Sequence, residues 1–331
     1  MIFIDLPVHT HERLSFYLAM EEYIARQKQQ WDDCFFMWQV NPSVIFGRNQ
    51  LIDNEVNVTY CKSNGIEMYR RKSGGGCVYA DMNNIMMSYI NSSDQLQFTF
   101  YKYVGMVAGL LQNLGLDAKA SLRNDIMIGD KKVSGNAFYH LCGRNIVHGT
   151  MLYDTNMDNM INSITPNDTK LQSKGVKSVR QHITLLKDHL DMSLESFKLY
   201  VSQNLCEDKR ILTDDDVSHI HHLEEEYLSP DFIYGKNPKS TIKLKRRLAN
   251  CGNFETYLEL THHKNDANKL FIKSVNMVGD FFLYGDLDGE LLSCLKGCEY
   301  TRQAINQRLN NITPEKVIMN LTKSNFIDLL F

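Results

Sequence analysis

The segment Arg70-Arg71-Lys72-Ser73-Gly74-Gly75-Gly76-Cys77-Val78-Tyr79 constrains this chain more than any other. A strand-like run from Ile66 ends in two cations, three glycines follow, and an apolar run then resumes. Glycine permits close backbone approach and positive φ. Three in a row between strands therefore predict an open backbone lip. Its N–H groups, beside fixed arginines, suit a phosphate or a carboxylate. The glycines alone would serve equally well as a flexible hairpin tip, so the reading rests on what accompanies them.

A chain of 331 residues with 43% hydrophobic and 23% charged residues is long enough for one large domain and a small one. Its net charge of −3 argues against nucleic acid as a partner, because phosphate contacts need concentrated positive charge. No uncharged apolar run approaches the roughly 20 residues that span a bilayer, so no membrane association is expected. The opening residues read as a strand and not as a signal peptide. The eight cysteines are scattered without a CxxC pair, which points to reduced thiols and a cytoplasmic location. His219, His221 and His222 run into Glu224-Glu225-Glu226 and read as the surface of an acidic helix.

Periodicity predicts a helix over Leu14 to Gln30 and β runs over Phe35–Val40 and Ser43–Phe46, joined as a hairpin through Asn41-Pro42. Strands at 66–71 and 85–90 bracket the lip, and a long apolar helix closes at Gly115. Ile126 to Val133 reads as a two-residue hairpin turning at Gly129-Asp130. Later helices start at Ser193 and at Thr213, where Asp216 completes a capping pair. Beyond Tyr234 the texture changes to alternating strands, and a last helix is expected at Thr313-Pro314-Glu315. The expected fold is α+β, with mixed and antiparallel sheets flanked by helices and a smaller C-terminal α+β domain. The boundary falls near 240, giving domains 1–240 and 241–331.

Lys132 ends the tight hairpin, directly before the small-residue stretch Ser134-Gly135-Asn136-Ala137. One lysine beside a triphosphate neutralises charge that builds at the α-phosphate as pyrophosphate departs. Lys131 should point to the opposite face. The segment from Lys170 to Arg180 carries several cations around a turn glycine and could order over a nucleotide.

Together these segments resemble the lipoate–protein ligase family, nearly end to end. The matching pieces are Leu18 to Glu22, Phe46 to Gln50, Arg70 to Tyr79 with Asp81, and Arg123-Asn124-Asp125. They continue with Lys132 to Gly135, His148-Gly149-Thr150 and Ser173 to Arg180. Distal pieces, Gly252 to Glu255, Gly279 to Phe282 and Leu295 to Cys298, resemble the accessory domain of the family.

The resemblance implies ATP-dependent activation of lipoate to lipoyl-adenylate. The lipoyl group would then pass to a lysine of a lipoyl carrier domain, either a 2-oxoacid dehydrogenase E2 subunit or glycine cleavage H protein. It implies that Arg71, Gly76, Cys77, Val78 and Tyr79 contact ATP or the adenylate, with Lys174, Gly175, Ser178, Val179 and Arg180 of the basic loop. Lys132 would be the catalytic cation, touching both lipoate and nucleotide. Arg70, Ser73, Gly74, Gly75, Ser134, Gly135, Ala137, His148 and Gly149 would line the lipoate end. Asp125 would hold Mg²⁺ or orient Lys132.

Two departures stand out. Where the family commonly reads His-Asp-x-Gly-Asn, this chain has Ala80-Asp81-Met82-Asn83-Asn84. Cys77 stands where alanine is frequent, and it frames the alternative: an ATP-independent lipoyl or octanoyl transferase with Cys77 as nucleophile, which needs an activated thiolate. Lastly, Lys236, Lys239, Lys243, Lys245, Arg246 and Arg247 form the densest basic run. It reads either as a solvated face or as a surface that steers an acidic carrier.

Overall fold

The computed structural model describes residues 1–7, 12–27, 31, 33–93, 95–121, 123–164, 182–235, 238–263 and 266–331. Two compact units are present. One comprises Met1–Phe46, Ile52–Lys72 and Cys77–Tyr234; the other comprises Gly47–Leu51, Ser73–Gly76 and Gly235–Phe331. The architecture is α+β, as the sequence pattern leads one to expect.

The larger unit begins with β1 (Ile2–Asp5), α1 (Leu14–Arg26), β2 (Cys34–Trp38) and β3 (Ser43–Phe46), then the short helices α2 (Ile52–Glu55) and α3 (Val58–Ser63). Next come β4 (Glu67–Arg70), β5 (Val78–Ala80), β6 (Ile85–Asn91) and the long α4 (Leu96–Asn113). β7 (Ala118–Ala120), β8 (Asp125–Ile128), β9 (Lys131–Leu141), β10 (Arg144–Met151) and α5 (Met157–Ile164) follow. The unit closes with α6 (Leu194–Leu205), β11 (Asp208–Ile211), α7 (Asp214–Leu228) and α8 (Pro230–Tyr234). An eight-stranded sheet has the order β11-β1-β2-β6-β10-β9-β8-β7, and a three-stranded sheet has the order β4-β3-β5. Among the described strands of the larger sheet, β1 pairs in parallel with β11 and β2, and the other strand pairs are antiparallel.

Local signals hold where they are chemical. Ser193 caps α6, and Thr213 with Asp216 closes a capping box on α7. The β8–β9 hairpin turns at Gly129, whose φ is +60°. Two expectations fail for tertiary reasons. β2 and β3 do not form a hairpin: Asn41-Pro42 carries the chain from the large sheet to the small one, where β3 pairs with β4 and β5. α1 ends at Arg26, and it has no solvent face, since Leu14 through Ala25 are all buried. One side of α1 meets the sheet and the other is covered by α7, where Ser15 donates to Glu224 and Phe16 packs on His221. The three expected surface histidines lie on α7, where His221 faces Glu224 at 3.1 Å.

The second unit contains an antiparallel sheet of β12 (Ile242–Leu248), β13 (Gly252–His263) and β14 (Asp266–Gly279), with helices α9 (Arg302–Arg308) and α10 (Lys323–Asp328). Phe254, Leu258, Phe281, Leu291, Ile305 and Phe326 centre its core. The helix expected at Pro314 is a single 3₁₀ turn; the last helix starts later, capped by Thr322. The two short early segments bond within this unit: Gly279 donates to Asn49 O at 2.8 Å and Gly75 to Phe281 O at 3.0 Å.

Candidate active site

The strands β8, β9 and β10 bring one group of expected site residues together. Asp125 lies opposite Gly135, Ala137 opposite His148, and Asn136 opposite Gly149. A bulge after Ile126 puts Lys132 opposite Met127 and Ser134 opposite Ile126. Lys132 Nζ then forms an ion pair with Asp125 Oδ1 at 2.7 Å, with about a third of its side chain exposed. Gly135 makes this possible. A Cβ there would lie 2.7 Å from Lys132 Nζ and 2.9 Å from Cε, so a side chain would displace the ammonium. The Lys132 backbone is held as well: Ile183 bridges it in parallel, and Thr184 N–H donates to its carbonyl at 2.9 Å.

Gly149 acts in the same way for Asn136. A Cβ at 149 would stand 1.9 Å from Asn136 Oδ1. The freed space lets Asn136 sit buried, donating to Asn124 O at 2.9 Å while its Oδ1 accepts from Ser134 Oγ at 3.2 Å.

His148 is buried on β10, and Nδ1–H donates to the carboxylate of Glu21 at 2.9 Å. Glu21 also accepts from Ser88 Oγ at 2.6 Å and from Tyr139 Oη at 3.3 Å, and Ser88 in turn accepts from Trp38 Nε1 at 3.0 Å. A fully buried carboxylate is costly unless hydrogen bonds replace its water, and these donors meet that need. Its neighbour Glu22, also buried, accepts from Lys72 Nζ at 2.7 Å, from Tyr227 Oη at 3.1 Å and from Arg26. Burial alone would raise the Glu22 carboxyl, but the bonds from Lys72 and Arg26 reverse this and hold it below the usual range. Two consecutive acids of α1 thus hold two different partners, Glu21 the His148 of β10 and Glu22 the Lys72 that follows β4.

Arg70 ends β4 and Arg71 follows it, and both are buried cations. Arg70 Nε donates to Ile233 O at 3.0 Å, and its guanidinium lies 4.7 Å from the Phe46 ring centre. Arg71 Nη1 donates to Ile45 O at 3.1 Å. Burial pulls both guanidiniums down, to about 10, which leaves them charged at neutral pH. Arg71 stands within electrostatic reach of Cys77 and Glu21. Ser73 to Gly76 belong to the second unit, and there the lip is not open along its length, because Gly75 N–H is already given to Phe281 O. Val78 and Tyr79 pair with Ile45 and Val44, and Tyr79 is buried. Lys174, Gly175, Ser178, Val179 and Arg180 lie outside the described residues.

Cys77 is half-buried, and burial first, then the charge of Glu55, pushes its thiol well above the ordinary range despite Arg71. A nucleophilic cysteine needs the reverse shift, so the site does not favour the transferase alternative. Of the sequence departures, that at Asn83 is explained. Asn83 is not among the residues at positive φ, so the turn loses nothing by lacking glycine there. Asp81 and Asn84 tie this turn to the chain after β10. Asp81 accepts from Asn156 N–H at 2.9 Å, and Asn84 donates to Thr155 at 3.0 Å.

Known proteins resemble this chain in sequence and in fold. A model of the lipoyl protein ligase A/B catalytic domain matches residues 14–206, and one of the bacterial lipoate protein ligase C-terminus matches residues 237–330. The lipoate-protein ligase LplJ of Bacillus subtilis (strain 168) is 32% identical, with 100% of each chain covered. LipL1 of P. falciparum, solved with lipoate, shares the fold at TM-score 0.74 and 20% identity, covering 99% of this chain and 97% of that one. The bi-partite lipoate protein ligase of Thermoplasma acidophilum, analysed with its E2 lipoyl domain, gives TM-score 0.65 at 27% identity over 72% of this chain and 98% of that one. A lipoate-protein ligase A bound with ATP gives 0.61 at 28%, over 70% of this chain and 98% of that one.

The fold and these relatives together define an enzyme of the ligase class. The chain belongs to the lipoate–protein ligase family.

Proposed function

We propose that this chain activates lipoate with ATP and passes the lipoyl group to a carrier lysine. In the first step a carboxylate oxygen of lipoate attacks the α-phosphorus. The bond to the β-phosphate oxygen breaks, pyrophosphate leaves, and lipoyl-adenylate remains. In the second, the neutral amine of the carrier lysine attacks the carbonyl carbon, AMP leaves with the bonding electrons, and the amine proton passes to water. Neither step asks for a protein nucleophile; both are helped by positioning and charge neutralisation.

The observation that carries the reading is the Lys132–Asp125 pair in the space left by Gly135. Asp125 fixes the ammonium as a directed cation, suited to a carboxylate and an α-phosphate that share negative charge during attack. In this reading Arg71 and the chain from Gly76 to Tyr79 serve the nucleotide, with Lys174, Gly175, Ser178, Val179 and Arg180. Arg70, Ser73, Gly74, Gly75, Ser134, Gly135, Ala137, His148 and Gly149 serve lipoate. Among the described residues no group of three His, Cys, Asp or Glu could hold a metal. A Mg²⁺ delivered on the triphosphate needs only one or two protein carboxylates, and Asp125, whose buried Oδ1 accepts no hydrogen bond beyond its ion pair with Lys132, would be one of them. Bound there, the ion would supply charge neutralisation to the phosphates.

The acceptors in this reading are lipoyl domains of E2 subunits or H protein. The relative described with an E2 lipoyl domain supports carrier proteins as partners. The eight cysteines are all free of disulfides, which suits the reducing cytoplasm we assign. Among the described residues no helix is long and apolar enough to cross a membrane.

ATP–pyrophosphate exchange with lipoate tests the proposal. Exchange should survive Cys77→Ser and fall by about 10²–10³ in Lys132→Ala, the range for losing one donor to developing charge. Acyl transfer that runs without ATP and dies with Cys77 would overturn it.

A further inference from the structure

The second unit carries a charged edge that the two-step chemistry leaves unused. β12 is the outer strand of the order β12-β13-β14, so one row of its backbone groups has no strand beside it among the described residues. Lys243, Lys245, Arg246 and Arg247 line this strand, and all four are exposed.

Register divides them into two kinds. Lys243 lies opposite Tyr257, stands 4.8 Å above its ring, and reaches Glu255 Oε2 at 2.8 Å. Lys245 lies opposite Glu255 and pairs with its other oxygen. Burial alone would raise the Glu255 carboxyl, but the bonds from Lys243 and Lys245 carry it down to about 2. These two lysines are spent on one internal carboxylate. Arg246 and Arg247 lie opposite Phe254 and Asn253, and they make no ion pair among the described residues. Strand alternation sends them to opposite faces. The edge thus offers a row of backbone groups with one guanidinium above it and one below. Glu255 takes up two of the four cations, and with Asp280 bonded to Asn253 the cations of this edge still outnumber the carboxylates beside them, on a chain whose total is −3.

We propose that the β12 edge is the docking surface for an acidic face of the carrier protein. This rests on the two-step reading, because a first half-reaction confined to small molecules has no use for such an edge. Main-chain bonding along an exposed edge supplies register, and the carboxylates of the incoming segment meet Arg246 and Arg247. Both guanidiniums are planar forks suited to bidentate carboxylate binding. The long-range part of the attraction raises the rate of encounter and weakens as salt increases.

The test uses the full chain, an unlipoylated E2 lipoyl domain, and the double variant Arg246→Gln/Arg247→Gln. Lipoate-dependent ATP–pyrophosphate exchange should match wild type. The KM for the lipoyl domain should rise about tenfold at low salt, and the gap should close at high salt, as screened steering requires. An unchanged KM overturns the docking surface. If wild type shows no exchange at all, the two-step reading has failed instead. Binding of the lipoyl domain to wild type and variant by surface plasmon resonance then decides the docking surface alone, and equal affinities overturn it. Should the double variant fold poorly, the Arg247→Lys and Arg247→Gln single variants decide. Lysine keeps the charge, so it must bind more tightly than glutamine, and equal binding overturns the proposal.

Discussion

His148 Nδ1 lies 2.9 Å from each carboxylate oxygen of Glu21, joining the middle of β10 to a helix with no exposed face. Ser88, Tyr139 and His148 all donate to this one acid, and Arg71 feels its charge. Glu21 therefore works as a hub that ties together β6, β9 and β10.

Replacing Glu21 by alanine removes the acceptor of all three donors at once. Buried donors without partners are costly, so unfolding in urea should show a loss on the order of 3 kcal/mol. Glu21→Gln keeps one acceptor oxygen and should lose about 1 kcal/mol. Equal losses in both variants would show that packing, and not hydrogen bonding, makes Glu21 necessary.

Gly135→Ala separates the position of Lys132 from its presence. The added Cβ meets the far end of a flexible side chain, so the fold should change in stability by less than about 1 kcal/mol. Lys132 must swing away from Asp125, and a displacement of that size costs about 10²-fold in a positioned reaction. Pyrophosphate exchange should fall accordingly while the melting curve holds. Full activity in this variant would remove the Lys132–Asp125 pair from the mechanism.

Cys77 should resist alkylation, because burial keeps the proton on its sulfur. Cys142 is exposed, in a turn at φ +52°, and serves as the internal comparison. After brief iodoacetamide treatment at neutral pH, peptide mass spectrometry should find Cys142 modified and Cys77 intact. Preferential modification of Cys77 would restore the case for a thiolate at this position.

Much of the fold was legible because its signals are local. The Thr213–Asp216 capping box, the Gly129 turn and the alternating strands of the second unit depend on neighbours in sequence and appear where expected. The split of β2 and β3 between sheets was not legible, since Asn41-Pro42 turns a chain equally well within a sheet or between two. Nor was the role of Glu21 and Glu22. Two adjacent acids on an apolar helix do not say what covers them, and the cover is α7, distant in sequence. Their signal was present, though: a helix whose remaining core positions are apolar had two charges to place, and a buried charge needs a named partner. Of the candidate site, Lys132 and the two arginines are proposed from residue type and spacing, and the structure shows how each is held. The pairing with Asp125 needed the β-bulge, which sequence did not announce.

Lys72 gives the remaining test, of how the buried Glu22 is held. Its ammonium lies 2.7 Å from both Glu22 and Glu226 and 4.8 Å from the Tyr227 ring centre. Lys72→Met keeps much of the side-chain volume but strips the buried Glu22 of one partner, leaving Arg26 and Tyr227. Breaking one side of such a buried pair should cost about 2 kcal/mol at pH 7, less than full burial would give because Arg26 remains. Glu22 is held below the ordinary carboxylate range in the folded chain. Its contribution is therefore complete above the unfolded value of about 4.3 and disappears as pH falls through the lower folded value. The stability difference between wild type and Lys72→Met should accordingly be constant from neutral pH to mildly acid solution. It should narrow only below about pH 4. Urea unfolding at pH 7 and at pH 3.5 checks this, and a gap that widens on acidification would mean that Lys72 stabilises the chain by something other than its bond to Glu22.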